Sequence, residues 1–111
     1  MKGRIRSFRY AFNGVAVILR TQPNARIHLL ATVVAVGLGL LLGISGGEWL
    51  AIILAIGLVW VAEGFNTALE LLADRVAPDF HPLVGRAKDS AAAAVLLAAI
   101  ASVVIALIVY I

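Results

Sequence analysis

Apolar runs of membrane-spanning length, separated by short polar stretches, organise the chain. Ahead of the first run, Ile5, Phe8, Phe12, Val15 and Leu19 recur at helical spacing with Arg4, Arg6 and Arg9 flanking them. This predicts a basic amphipathic helix over 4–19, suited to a membrane surface. "RTQPN" breaks that pattern, and Pro23 suits the first turn of a new helix. The run from Ile27 to Ile44 is the first predicted span (27–44), and "SGGE" (45–48) is a tight turn with one acid and no base. A second span starts near Glu48, and its helical pattern continues past Ala62 to about Val76, ahead of Pro78. A helix over 48–76 would be roughly 42 Å long against a hydrocarbon core of about 30 Å. Its far end therefore projects beyond the bilayer. "APDFHPLVGRAKD" (77–89) reads as a loop punctuated by Pro and Gly. The third span covers 90–111, with Asp89 or Ser90 as N-cap and a small-residue run, Ala91 to Ala94, that permits close helix approach.

Composition agrees with that layout. Of 111 residues, 63% are hydrophobic and 14% charged, a balance that points to an all-α integral membrane protein of one domain, 1–111. The absence of Cys excludes disulfides and thiolate metal sites. The net charge is +3, but its distribution says more. Lys2, Arg4, Arg6, Arg9, Arg20 and Arg26 form one patch, and Arg75, Arg86 and Lys88 form a second. Both are placed in the cytoplasm, which gives an inside N-terminus and an outside C-terminus. The bases read as topology determinants, and no nucleic-acid partner is expected. The N-terminal region does not read as a cleavable signal, because its arginines are spread through the apolar residues.

The second span carries the unusual chemistry. Glu63, Asn66, Glu70 and Asp74 fall within an arc of about 80° on a helix turning about 100° per residue. They form one stripe that starts in the bilayer and ends in the cytosol. Asp74, beside Arg75, reads equally well as part of a solvated helix end. Asn66 suits interhelical hydrogen bonding. Glu63 and Glu70 ask for more, because carboxylates within a membrane are costly. Desolvation strengthens a carboxylate as a proton acceptor, which suits a general base. A second carboxylate in a wetter place suits Mg²⁺, which takes one or two carboxylates plus substrate phosphates. Lys88 and Asp89 add a phosphate-binding cation and a further acid. These are parts that phosphoryl transfer uses, with a lipid hydroxyl as the acceptor within reach. The nucleotide motifs G-x-x-x-x-G-K-[ST] and G-x-G-x-x-G are absent, as are the kinase signatures H-R-D and D-F-G. From the residues alone, phosphoryl transfer, cation passage and structural packing all stay open.

"EGFNTALE" (63–70) followed by Asp74-Arg75 resembles the signature of the prokaryotic diacylglycerol kinase family, which includes undecaprenol kinases. "HPLVGRAKDSAAAAVLL" (81–97) is similar to the family's second signature, and "SFRYAFNG" (7–14) and "NARIH" (24–28) to its N-terminal part. The resemblance covers nearly the whole chain. It implies a homotrimer in the bacterial inner membrane, with three spans and a surface helix, that transfers the ATP γ-phosphate to diacylglycerol or undecaprenol with Mg²⁺. By position, Glu63 resembles the catalytic base and Asn66 a substrate-positioning group. Glu70 matches a metal-binding glutamate at the nucleotide, and Tyr10 a nucleotide-contacting tyrosine. Asp79, His81, Lys88 and Asp89 fall where the family meets the nucleotide, and Arg4 or Arg6 at the lipid and nucleotide mouth. Where the family commonly has a second metal-binding glutamate, this chain has Gln22, which keeps a carbonyl oxygen but loses a full charge. His28 matches no functional position and reads as interfacial packing. The rival from another class is a small membrane assembly or cation-passage protein, which would show no lipid-dependent use of ATP.

Overall fold

The computed structural model describes residues 2–111, in four helices: α1 (Lys2–Thr21), α2 (Pro23–Leu42), α3 (Gly46–Val76) and α4 (Pro82–Tyr110). Three of them, α2, α3 and α4, are long and apolar enough to cross a membrane. At 31 residues α3 would measure about 46 Å, so it outruns a hydrocarbon core of about 30 Å.

Each boundary has a local cause. Gln22 alone separates α1 from α2, and Pro23 opens α2 where a missing N–H costs nothing. Arg26 folds back to donate to the carbonyls of Leu19 (3.4 Å) and Arg20 (3.5 Å), placing a cation on the exposed C-terminus of α1. Gly43, with φ 61°, ends α2 in the left-handed conformation that glycine adopts most freely. Ser45 and Glu48 then form a capping box at the start of α3.

The start of α4 corrects the sequence reading. Residues 82–89 are helical, not a loop, and the N-cap is His81 instead of Asp89 or Ser90. The His81 Nδ1 accepts from the Leu83 N–H at 3.1 Å, and Pro82 takes the first helical position. A proline read as a breaker is here a helix starter, and Lys88 and Asp89 consequently stand on a helix.

Helix α4 runs back along α3 in the principal packing of the chain, while α2 and α1 lean more lightly on α3. The inward face of α3 is Ile52, Ala55, Val59, Glu63, Asn66 and Thr67, opposed by Ala98 of α4. The face is thus apolar towards one end and polar towards the other. Three hydrogen bonds tie the helices across the apolar part. Ser102 donates to the Ala55 carbonyl (3.0 Å), Trp60 Nε1 to Thr32 (3.0 Å), and the Tyr110 hydroxyl to the Ala35 carbonyl. Such bonds hold helices together where lipid supplies little hydrophobic drive. Near the α2–α3 turn, the Trp49 ring lies against Gly39, where a Cβ would meet it at 2.7 Å.

Candidate functional site

Glu63 is the deepest polar group of the stripe and is only 2% exposed. Helix α3 puts it one turn from Asn66, also buried, while Thr67 spends its hydroxyl on the Glu63 carbonyl at 2.9 Å. The Glu63 side chain faces α2, where His28 Nε2 stands 3.4 Å from its Oε2. That is ion-pair range without the alignment of a hydrogen bond, and both Glu63 Oε2 and Asn66 Oδ1 are buried with no hydrogen-bond partner among the described residues. Buried polar atoms are rarely left in that state. Both residues line a cleft of about 220 Å³, together with Asn24, Ile27 and His28 of α2 and Ala92, Val95, Leu96 and Ala99 of α4. An unsatisfied carboxylate and amide at a cleft are groups prepared for a polar ligand.

Beside this cleft is an apolar groove of about 330 Å³ between α2, α3 and α4. It shares Ile27, His28 and Ala99 with the cleft and continues past Ala31, Ala35, Ile52, Val59 and Ala106. A molecule with one polar end and a hydrocarbon body matches this juxtaposition.

Further along the stripe the groups are wetter. Glu70 is half-buried and accepts from Gln22 Nε2 at 3.3 Å, so the residue between α1 and α2 meets the stripe of α3. Asp74 is exposed and paired with Lys88 Nζ at 2.6 Å. The Asp74 hydrogen bond, opposed by slight burial and aided by the charges of Asp74 and Glu70, raises the Lys88 ammonium above its ordinary value of 10.5. Lys88 precedes the apolar run of α4. A third cleft of about 210 Å³ is lined by Asp74, Asp79, Phe80, His81 and Lys88, among others. Since His81 uses Nδ1 as the cap, its Nε2 is the nitrogen left for a ligand.

The structure thus brings Glu63 and Asn66 into one cleft, Gln22 to Glu70, and Asp79, His81 and Lys88 into another. It does not gather the rest. Arg4, Arg6 and Tyr10 lie exposed on α1, and Asp89 is exposed and lines none of these clefts. Sequence reasoning missed His28, assigned to packing, and also Asn24. A signal was present, since Asn24, His28 and Thr32 recur every four residues and so mark one polar face of α2.

Among the described residues no three His, Cys, Asp or Glu side chains cluster as a ready-made metal site. Glu70 offers a carboxylate to a hard cation that draws its remaining ligands from phosphates and water, as Mg²⁺ usually does. Gln22 turns its Nε2 towards Glu70 at 3.3 Å and would present its carbonyl oxygen to that cation only after the amide flips.

Comparison with known proteins gives a consistent result. The family model for prokaryotic diacylglycerol kinase matches residues 9–110. A diacylglycerol kinase of Synechocystis sp. is 43% identical over 100 residues, covering 89% of this chain and 57% of the relative, so the chain spans little more than half of that protein. An undecaprenol kinase of Bacillus subtilis is 36% identical over 105 residues, covering 95% of this chain and 85% of the relative. A diacylglycerol kinase of Escherichia coli is 31% identical over 100 residues, covering 90% and 82%.

Proposed function

We propose that this chain, which belongs to the prokaryotic diacylglycerol kinase family, is a membrane lipid kinase that transfers the γ-phosphate of ATP to the hydroxyl of a lipid alcohol. The observation that carries the reading is a buried Glu63 carboxylate beside the Asn66 amide, neither fully satisfied among the described residues, at a polar cleft that shares lining residues with an apolar groove. The groove takes hydrocarbon and the cleft takes the hydroxyl.

Glu63 is the general base. It accepts the hydroxyl proton as the lipid oxygen bonds to the γ-phosphorus, and the bond from that phosphorus to the bridging oxygen of ADP breaks. Asn66 orients the hydroxyl beside it. The nucleotide lies further along the stripe, with Glu70 and Gln22 at its phosphates and Asp79, His81, Lys88 and Asp89 around the rest. Tyr10, Arg4 and Arg6 close over it from α1. Glu70, with the Gln22 carbonyl, would hold Mg²⁺, which when bound neutralises charge on the phosphates. Catalysis here is mostly positioning and electrostatics.

Helices α1, α2 and α4 expose long apolar faces. Assembly into a homotrimer would shelter the acidic stripe from lipid and bring the exposed α1 residues of one subunit over another's site. With the basic patches in the cytoplasm, the N-terminus is cytoplasmic and the protein lies in the bacterial inner membrane.

Diacylglycerol and undecaprenol are both candidate acceptors, as the names of the relatives suggest. The test is purified protein in detergent with ATP, Mg²⁺ and a panel of lipid alcohols. Phosphorylated lipid and matching ADP are expected with at least one acceptor. ADP release that is indifferent to lipid, or none with any acceptor, removes the reading and favours an assembly or cation-passage role.

A further inference from the structure

An ionised carboxylate sealed inside a membrane protein is costly unless another group compensates it. Glu63 is 2% exposed, and the residues that share its cleft from α4, Ala92, Val95, Leu96 and Ala99, carry no charge. From α3 the cleft receives only the Asn66 amide besides Glu63 itself, and from α2 the Asn24 amide, Ile27 and His28. Among the described residues the imidazole is therefore the one cation-capable group lining this cleft, and its Nε2 stands 3.4 Å from Glu63 Oε2.

The position of His28 is itself fixed. Thr32, one turn on, donates to the His28 carbonyl at 2.7 Å and accepts from Trp60 Nε1 of α3 at 3.0 Å. Trp60 and Glu63 are one turn apart on α3. The two turns that carry the imidazole and the carboxylate are thus pinned to each other by a separate hydrogen bond.

We propose that His28 is a positioning residue for Glu63. Its Nε2–H closes on Oε2 when the cleft fills, holds the carboxylate in one orientation and leaves the other oxygen for the acceptor hydroxyl. The imidazole touches neither nucleotide nor phosphate; it acts through Glu63. This rests on Glu63 being the base, and the two claims fail separately. Misplacing a catalytic group by about 1 Å costs on the order of 10²-fold in rate, so the consequence is a loss in kcat.

His28→Leu removes the donor at similar volume, whereas His28→Gln keeps an N–H donor at nearly the same reach. Expected are a 10- to 100-fold lower kcat for the leucine variant, an ATP KM within about twofold of the parent, and recovery of most of the rate with glutamine. In a Glu63→Gln background, His28→Leu should add no further loss, because there is no carboxylate left to position. Equal rates for parent and His28→Leu, with Glu63→Gln inactive, overturn the proposal and leave the base in place. Full rates in both single variants overturn the base itself. If the leucine protein does not fold, His28→Asn replaces it, since asparagine carries the same amide one methylene short. Its kcat should fall well below that of His28→Gln, and equal rates for the two amides, or additive losses with Glu63→Gln, also overturn the proposal.

Discussion

Replacing Gln22 by glutamate would place a second carboxylate beside Glu70, and the structure gives the size of the effect. Gln22 Nε2 and Glu70 Oε2 are 3.3 Å apart, so two carboxylates would face each other at contact distance. Unit charges about 4 Å apart repel by about 1 kcal/mol in water and about 4 kcal/mol at an effective dielectric near 20. Both residues are half-buried and keep contact with solvent, which favours the lower end, about 1–2 kcal/mol. The metal-free Gln22→Glu protein should therefore melt several degrees lower in EDTA. A divalent cation between the carboxylates reverses the sign, and relief of about 1.4 kcal/mol corresponds to tenfold in affinity. The Mg²⁺ concentration for half-maximal lipid phosphorylation, measured at fixed ATP and corrected for Mg²⁺ held by free ATP, should fall about tenfold. The melting loss should disappear as Mg²⁺ and nucleotide are added. Superimposable Mg²⁺ curves together with an unchanged melting temperature in EDTA would refute the reasoning, because they would mean that the two side chains do not share a cation.

Glu63→Gln should lower turnover by roughly 10²-fold or more with assembly intact, and near-normal turnover in a folded sample removes the base assignment. Lys88→Ala should raise the Michaelis constant for ATP more than that for the lipid, since Lys88 and Asp74 form an exposed pair whose loss disturbs the fold little; unchanged ATP kinetics would move the nucleotide elsewhere. Mixing Glu63→Gln subunits with Lys88→Ala subunits should recover part of the activity if a site draws on two chains, and no recovery rules out that sharing. Gly39→Ala should destabilise the protein by about 1–3 kcal/mol through overpacking, because its Cβ would stand 2.7 Å from the Trp49 ring; an unchanged thermal midpoint in detergent would show that the ring moves freely.

The spans were readable because lipid demands unbroken apolar length, and the stripe because an acid in such a run has few structural excuses. The meeting of Gln22 with Glu70 was also foreseeable from depth alone, since both lie where their helices leave the apolar zone. The partner of Glu63 was not. His28 belongs to another helix, and only the roll of α2 about its axis decides whether it faces the carboxylate or the lipid. That roll is set by tertiary contacts such as Trp60 with Thr32, which leave no mark in local periodicity. The start of α4 was misread for a different reason. Proline ends one helix and begins another with equal ease, and the histidine cap that settles the matter works through a ring nitrogen, outside the usual Ser, Thr, Asp and Asn.

The unbroken helix from Gly46 to Val76 carries Glu63 and Glu70 alike. Seven residues of helix separate them by about 10 Å of rise and nearly two whole turns. The gap between the proposed proton acceptor and the proposed phosphate end is thus a ruler with no joint in it. One inserted residue between them would lengthen it by about 1.5 Å but swing Glu70 by about 100°, away from Gln22. Substitutions along this segment can be absorbed by neighbours, but an insertion or deletion cannot, so this stretch of the gene should vary in letters and never in length.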